Sequence, residues 1–285
     1  MLKRTLPFML SVVAIAWGQS KPQAPKTVRL YILDCGKITG VPASAFGFKD
    51  GELASSELTT PCYLIVHPRG TMIWDTGEIA DSKVKTDGSP TAEGPFTVTK
   101  ALLPQLRALG YTPANITYVA LSHYHGDHVA NANSFAGSTW IVQKVERDAM
   151  LAAKSEGAKG PGDANPALYG ELAKSSKLLI LNGEDHDVFG DGTVVIKFTP
   201  GHTPGHQSLF LKFAHTGPVL LSGDLYHYPE EMTMKKIPPF DFNKGETARS
   251  RAAIEEFVKK EHAQLWIQHD AAQGAKLKKA PEYYD

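Results

Sequence analysis

Four times along this chain an apolar run of strand length ends at a histidine or an aspartate. The run 116–121 stops at Ser122 and is followed by His123-Tyr124-His125-Gly126-Asp127-His128. The run 194–198 leads into Thr199-Pro-Gly-His202-Thr-Pro-Gly-His206, the run 218–221 into Ser222-Gly223-Asp224, and the run 263–267 into Gln268-His269-Asp270. Open α/β sheets build their sites at the carboxyl ends of strands. The glycines and prolines around His202 and Asp224 allow tight turns, so that side chains from separate strands can converge.

The donors in these segments are imidazole nitrogens and carboxylate oxygens, which suit zinc and similar divalent ions. His123 and His125 are two residues apart and point the same way in an extended chain. Asp127 and His128 lie past Gly126, where the chain can bend towards a second ion. A polar loop that happens to hold three histidines is the bland alternative, and the ligands at the later strand ends weigh against it.

The pattern His-x-His-x-Asp-His at 123–128, followed in order by His202, Asp224 and His269, resembles the metallo-β-lactamase superfamily. Asp75, in Trp74-Asp75-Thr76-Gly77, matches that family's early turn. The resemblance implies an α/β protein with an αβ/βα four-layer sandwich: two sheets face to face, helices outside. It implies that one metal takes His123, His125 and His202 and the other Asp127, His128 and His269, with Asp224 and a hydroxide bridging them. Two such ions sit roughly 3.5–4 Å apart and share the hydroxide that attacks the substrate. Zinc is the default; iron, cobalt or manganese accept the same donors. Asp127 has a second implied role, relaying a proton to the leaving group.

Substrate class rests on details, because this fold hosts many hydrolases. Asp224 resembles the bridging aspartate of lactonases, glyoxalase II enzymes and phosphodiesterases; true β-lactamases lack it, so β-lactamase activity is at most minor. The ending Gln268-His269-Asp270 resembles the N-acyl-homoserine lactonase branch, which implies quorum quenching by lactone ring opening. Well-known members of that branch carry a tyrosine three residues after the bridging aspartate. Here that position is His227, flanked by Tyr226 and Tyr228, and Tyr226 or His227 is expected to contact the substrate. The apolar stretch 228–243, with Met232, Met234, Ile237, Phe240 and Phe242, is a candidate acyl pocket that Phe46 and Phe48 could complete. Lys235 and Lys236 keep a phosphodiesterase in play, a thioesterase being the other alternative on the same metals. A non-catalytic metal carrier is the third reading, against which the open, bridged ligand set argues. His206 is expected to support His202 from behind.

Compartment is read from the start of the chain. Lys3 and Arg4 precede an apolar run from Leu6 to Trp17, and Ala14, Ala16 and Gly18 follow the pattern of a cleavage site, so 1–18 reads as a secretory signal peptide and 19–26 as a flexible leader. The expectation is a periplasmic or secreted protein with no stable membrane anchor after cleavage; an uncleaved anchor is the alternative. Residues 27–285 then form one hydrolase domain. Equal numbers of acidic and basic residues, 30 of each, give no sign of a nucleic-acid footprint, and the partner expected is a small-molecule substrate, with oligomeric state open. Cys35 and Cys62 sit in strand-like runs. Free buried thiols are the commoner fate of such cysteines and are the reading here, with one disulfide as the alternative for an exported protein.

Strands are expected at 28–35, 61–67 and 70–75, the last two joined by a hairpin at Arg69-Gly70. Helices are expected at 97–109, kinked at Pro104, at 143–155 after the strand Trp140-Ile-Val142, and at 246–261; 37–60 and 156–166 read as loops.

Overall fold

A computed structural model describes residues 23–153, 164–175 and 177–285. The expected signal peptide 1–18 and most of the expected loop 156–166 lie outside them. Strand β2 (Leu58–His67) organises the larger sheet. It is apolar on both faces, as a central strand must be, and pairs antiparallel with β1 (Arg29–Ile38) and β3 (Gly70–Trp74). Beyond β3 the sheet continues in parallel through β6 (Tyr118–Ala120), β7 (Thr139–Gln143) and β8 (Leu178–Leu181). The short hairpin β4 (Thr91–Glu93) and β5 (Phe96–Val98) closes the other edge, giving the order β4-β5-β1-β2-β3-β6-β7-β8. The second sheet runs β13-β12-β11-β10-β9, from Gln264–Trp266 and Pro218–Leu221 through Gln207–Lys212 and Val194–Phe198 to His186–Asp187.

Alternation along the strands sorts side chains into layers. Leu30, Ile32, Tyr63, Ile65, Met72 and Trp74 of the first sheet meet Val194, Ile196, Leu209, Leu211, Val219 and Leu221 of the second in one buried core. Their neighbours Leu33, Cys62, Leu64, Ile73 and Val119 face outward, beneath helix α1 (Leu102–Ala108), Met150 of α3 (Lys144–Ala152), and Tyr169 and Leu172 of α4 (Pro166–Ala173); α2 is the single turn Gly126–Val129. Phe210 and Leu220, on the outer face of the second sheet, lie under Ile254 of the long helix Lys244–Glu261, here α6; α5 is the short helix Pro229–Thr233. The result is the expected αβ/βα four-layer sandwich.

Three local expectations are corrected. The helix expected from 97 starts at Leu102, because Phe96–Val98 pairs with β1 and β4. Pro104 does not kink it: proline sits at the third helical position, where no intrahelical N–H bond is lost. The Asp81 carboxylate instead accepts the N–H groups of Leu102 and Leu103, both at 2.7 Å. Helix α4 was not expected; Pro166 opens it and the Asn165 side chain caps it by accepting the Ala167 N–H. Cys35 and Cys62 form a disulfide rather than two free thiols, their Cα atoms 5.8 Å apart. Leu33 is the register partner of Cys62, and Cys35, two residues further on, lies on the same face.

Candidate metal centre

The carboxyl ends of β6, β10, β12 and β13 meet at one edge of the sandwich. After β6 the chain stays extended through His123 and His125, and the helical turn starting at Gly126 carries Asp127 and His128 round to the other side. The tight loop 199–206 delivers His202. Gly223, at φ +54°, turns β12 into Asp224; a Cβ there would meet His206 Nε2 at 2.7 Å. The start of β2 holds the last ligand segment, since Thr59 N–H donates to the His269 carbonyl at 3.1 Å and Thr59 Oγ1 to that of Gln268 at 3.1 Å.

Two groups of ligand atoms result, His123/His125/His202/Asp224 and Asp127/His128/Asp224/His269, each with its atoms within 4.8 Å of one another and every residue buried. Asp224 belongs to both. The seven metal candidates named from the sequence are therefore all brought together, sorted into the two sets expected.

The hydrogen bonds show why a cation fits. His128 Nδ1 faces Asp75 at 2.9 Å, His269 Nδ1 faces the Thr59 carbonyl at 2.7 Å, and His202 Nδ1 faces Asp241 at 3.0 Å. Each ring gives its N–H to an outer acceptor, so each Nε2 turns a lone pair inward. There the lone pairs meet one another and a carboxylate. His128 Nε2 and His269 Nε2 are 3.3 Å apart, and His202 Nε2 is 3.0 Å from His125 Nδ1. Asp224 Oδ1 and His123 Nε2 are buried with no hydrogen-bond partner. Acceptors packed this way repel unless a cation sits among them, and nitrogens bound to one zinc at about 2.0–2.1 Å stand about 3.3 Å apart.

Burial opposes a charge on His128, but Asp224, Asp127 and Asp75 outweigh it and raise the imidazole well above its ordinary range. Burial likewise opposes ionisation of Asp127, yet His128 and His269 hold its carboxyl at about 2. His206 is different. Burial depresses it to about 3, its Nδ1 faces the Thr199 carbonyl at 3.0 Å, and its Nε2 accepts the Asp224 N–H at 2.9 Å. It is a neutral prop for the shared aspartate.

The two substrate-contact candidates separate. Tyr226 is fully buried away from the site, its hydroxyl donating to Glu255 at 2.6 Å and its ring under Arg251, so the expectation that it meets substrate is corrected. His227 does line the cavity over the ligands, with Nε2 at 3.1 Å from Asp224 Oδ2 and Nδ1 at 3.2 Å from Glu231, which Arg251 pairs with in turn. Burial lowers the His227 pKa, but the two carboxylates overcome this and raise it to about 10 while no metal neutralises Asp224.

The cavity, about 430 Å³, opens over His125, Asp127, Asp224, His227 and His269. Its apolar wall differs from the one expected. Ile38, Val41, Ala45, Phe46, Leu58 and Phe96 line it, drawn mainly from the segment between β1 and β2. Of the described residues in 228–243 only Phe240 takes part. Met232 packs under α6, Met234 and Phe242 face solvent, and Phe48 is buried behind Phe46. Lys236 is spent on Glu52 and on the Gly47 carbonyl, above the Phe48 ring.

Sequence reasoning missed Asp241, Glu231 and Glu146. Asp241 carries no spacing signal, since it reaches His202 across 39 residues; Glu231 does carry one, standing four residues after His227. Glu146 had one: it lies four residues before Met150, on the apolar face of α3.

The sequence matches the metallo-beta-lactamase superfamily over residues 56–263. It is 32% identical over 268 residues to the N-acyl homoserine lactonase AttM of Rhizobium radiobacter, spanning 90% of this chain and 98% of that protein. It is 31% identical over 236 residues to an N-acyl homoserine lactonase of Bacillus thuringiensis, spanning 78% and 85%. A solved quorum-quenching N-acyl homoserine lactone lactonase superposes with a TM-score of 0.73 at 27% identity, over 91% of this chain and 99% of that one. A solved N-acyl homoserine lactone hydrolase with the product N-hexanoyl-L-homoserine at its catalytic metal center gives 0.72 at 27% identity, over 90% and 98%. Ligand order, two ligand sets sharing an aspartate, four-layer architecture and sequence match agree: this chain belongs to the metallo-beta-lactamase superfamily.

Proposed function

We propose that this protein is a two-metal lactonase that opens the ring of N-acyl-homoserine lactones. The observation that carries the reading is a pair of ligand sets joined by Asp224 at the floor of an apolar cavity of about 430 Å³, a size suited to a small amphiphile. The named activity of the relatives supports it. His123, His125 and His202 would hold one ion, Asp127, His128 and His269 the other, with Asp224 shared; zinc is the ion these donors favour, and iron, cobalt and manganese are accepted too. When bound, such a pair acidifies water and polarises a carbonyl.

The chain's own groups supply the rest. Ring opening adds water's oxygen to the lactone carbonyl carbon, breaks the ring C–O bond and leaves the ring oxygen needing a proton. Asp127 faces the cavity and is placed to take a proton from the water and return it to that oxygen. His227, oriented by Glu231, stands where it can hydrogen-bond the substrate's polar head. Phe46, Phe96 and Phe240 exclude water around an acyl chain.

The phosphodiesterase alternative loses its motive, because neither Lys235 nor Lys236 lines the cavity and Lys236 is committed to Glu52. Export is part of the proposal. The signal-like residues 1–18 motivate it, and the Cys35–Cys62 disulfide supports it, since such bonds persist in oxidising compartments. Among the described residues no helix is long and apolar enough to cross a membrane. The deciding experiment is steady-state hydrolysis of a graded acyl-homoserine lactone series beside a thioester, a phosphodiester and a β-lactam, with metal analysis of the same preparation. A phosphodiester turned over better than every lactone would sink the reading. Cell fractionation with N-terminal sequencing tests export.

A further inference from the structure

Glu146 lies in the first turn of α3 and is buried, and its hydrogen bonds go to Tyr124, Thr203 and Gly205 rather than to a metal candidate. Its Oε1 accepts the Tyr124 N–H at 3.0 Å and the Thr203 hydroxyl at 2.9 Å; its Oε2 accepts the Gly205 N–H at 2.7 Å. Tyr124 stands between His123 and His125. Thr203 follows His202. One carboxylate therefore joins the two loops that carry the three-histidine set. The loop comes in so close at Gly205 that a Cβ there would stand 2.6 Å from Glu146 Cβ and 2.7 Å from its backbone nitrogen. Burying a carboxylate is costly unless its oxygens are satisfied, and here the donors that satisfy it come from those two loops.

We infer that Glu146 is a positioning residue for the three-histidine half of the centre, clasping the His123–His125 loop to the His202 loop so that three nitrogens converge before any ion arrives. The inference rests on the two-metal reading and is independent of which substrate is hydrolysed. An amide is a poor replacement. In Glu146→Gln one carboxylate oxygen becomes an NH₂ group, which must face an N–H or give up the donor it held, so the clasp opens on one side.

The experiment is metal binding, read without turnover. Wild type, Glu146→Gln and Thr203→Val are stripped with a chelator and titrated with zinc alone by calorimetry and with cobalt alone by visible spectroscopy. Zinc-soaked crystals then locate each ion by anomalous scattering. The expected result is that Glu146→Gln weakens one of the two ions by about 10–100-fold, the range known for partners outside the ligand shell. The weakened ion is the one at His123, His125 and His202, and the other keeps its affinity. Thr203→Val, which removes one donor of three, weakens the same ion less, and it decides the matter if Glu146→Gln does not fold. Equal weakening of both ions would mark a merely structural role and overturn the inference, as would loss at the Asp127/His128/His269 half or wild-type affinity for both. Wild type that takes up fewer than two ions overturns the metal reading and this inference together, whereas failure to hydrolyse lactones touches neither.

Discussion

The two halves of the centre are built on different foundations. The Asp127/His128/His269 half is fastened to the strand framework. Asp75, at the end of β3, accepts from His128, from Ser122 N–H at 2.6 Å and from the Gln268 amide at 2.7 Å. Thr76 N–H donates to the His128 carbonyl at 2.7 Å, and the start of β2 holds both His269 Nδ1 and the His269 backbone. The His123/His125/His202 half leans more on loops: Ser122 Oγ, itself bonded to Asp75, reaches His123 Nδ1 at 3.0 Å, but His125 and His202 lie in loops. It is gathered by Glu146 and by Asp241, whose other oxygen accepts the Thr247 hydroxyl at 2.7 Å. A ligand on a strand end inherits its position from the sheet; a ligand on a loop needs a buried acceptor of its own. The lesson is that equal ligands need not be equally held.

The largest expected effect comes from the one residue both halves share. Asp224→Asn replaces a bridging anion by a neutral amide and should lower the occupancy of both ions and the turnover together, by more than the roughly 10–100-fold that outer partners carry. Full occupancy with normal turnover would break the idea of a shared carboxylate. Next, His123→Ala and His269→Ala should each empty a different position. Anomalous scattering from crystals of the two variants checks this, and loss of the same ion from both would show that the division into halves is wrong.

A smaller effect is expected at the cavity wall. Phe240 stands edge-on to Phe46, ring centres 5.4 Å apart, and to His202 at 5.8 Å. Each buried methylene of an acyl chain should improve kcat/KM by up to about 0.8 kcal/mol until the wall is filled. Phe46→Ala or Phe240→Ala should flatten that slope and leave metal content unchanged. A slope identical to wild type in both variants would place the acyl chain elsewhere.

The effect most remote from the centre concerns stability. Glu78 follows the Asp75 turn and accepts from Lys37 N–H, Thr60 hydroxyl and Thr97 N–H at 2.9–3.1 Å, tying β1, β2 and β5. Burial raises its carboxyl to about 9, far above the unfolded value. A raised carboxyl contributes stability in full below its unfolded pKa, and this is lost as pH rises through the folded value. Wild type should therefore lose thermal stability between about pH 5 and pH 9 through this group. Glu78→Gln, which keeps two backbone bonds and donates to Thr60, should show a flatter profile. Parallel melting curves for the two proteins across that range would refute the assignment.

Much of the centre was legible before folding. Strand runs that end in His or Asp mark themselves by local composition, and a resemblance in their order sorted the ligands into two sets. Substrate contacts were harder to read. Neighbouring residues in an extended segment face opposite ways, so Tyr226 turned towards Glu255 while His227 turned towards Asp224. Proximity to Asp224 in sequence points the apolar wall to 228–243. It came largely from 38–58, which the pairing of β1 with β2 and the bridge between Leu58 and Asp270 carry to the cavity mouth. Composition leaves the cysteine pair open for a related reason, since strand register sets the two side chains on one face.

What the sequence by itself determined is the donor set: which side chains reach the site, at which strand ends, and in what order, because each is encoded within a few residues. Only the tertiary structure decided what holds those donors. Asp241 meets His202 from 39 residues away, Gly205 meets Glu146 across 59, and Thr59 meets His269 across 210. A hydrogen bond between such positions leaves no local pattern, since its two ends are neighbours only after both sheets have packed and aligned their carboxyl edges.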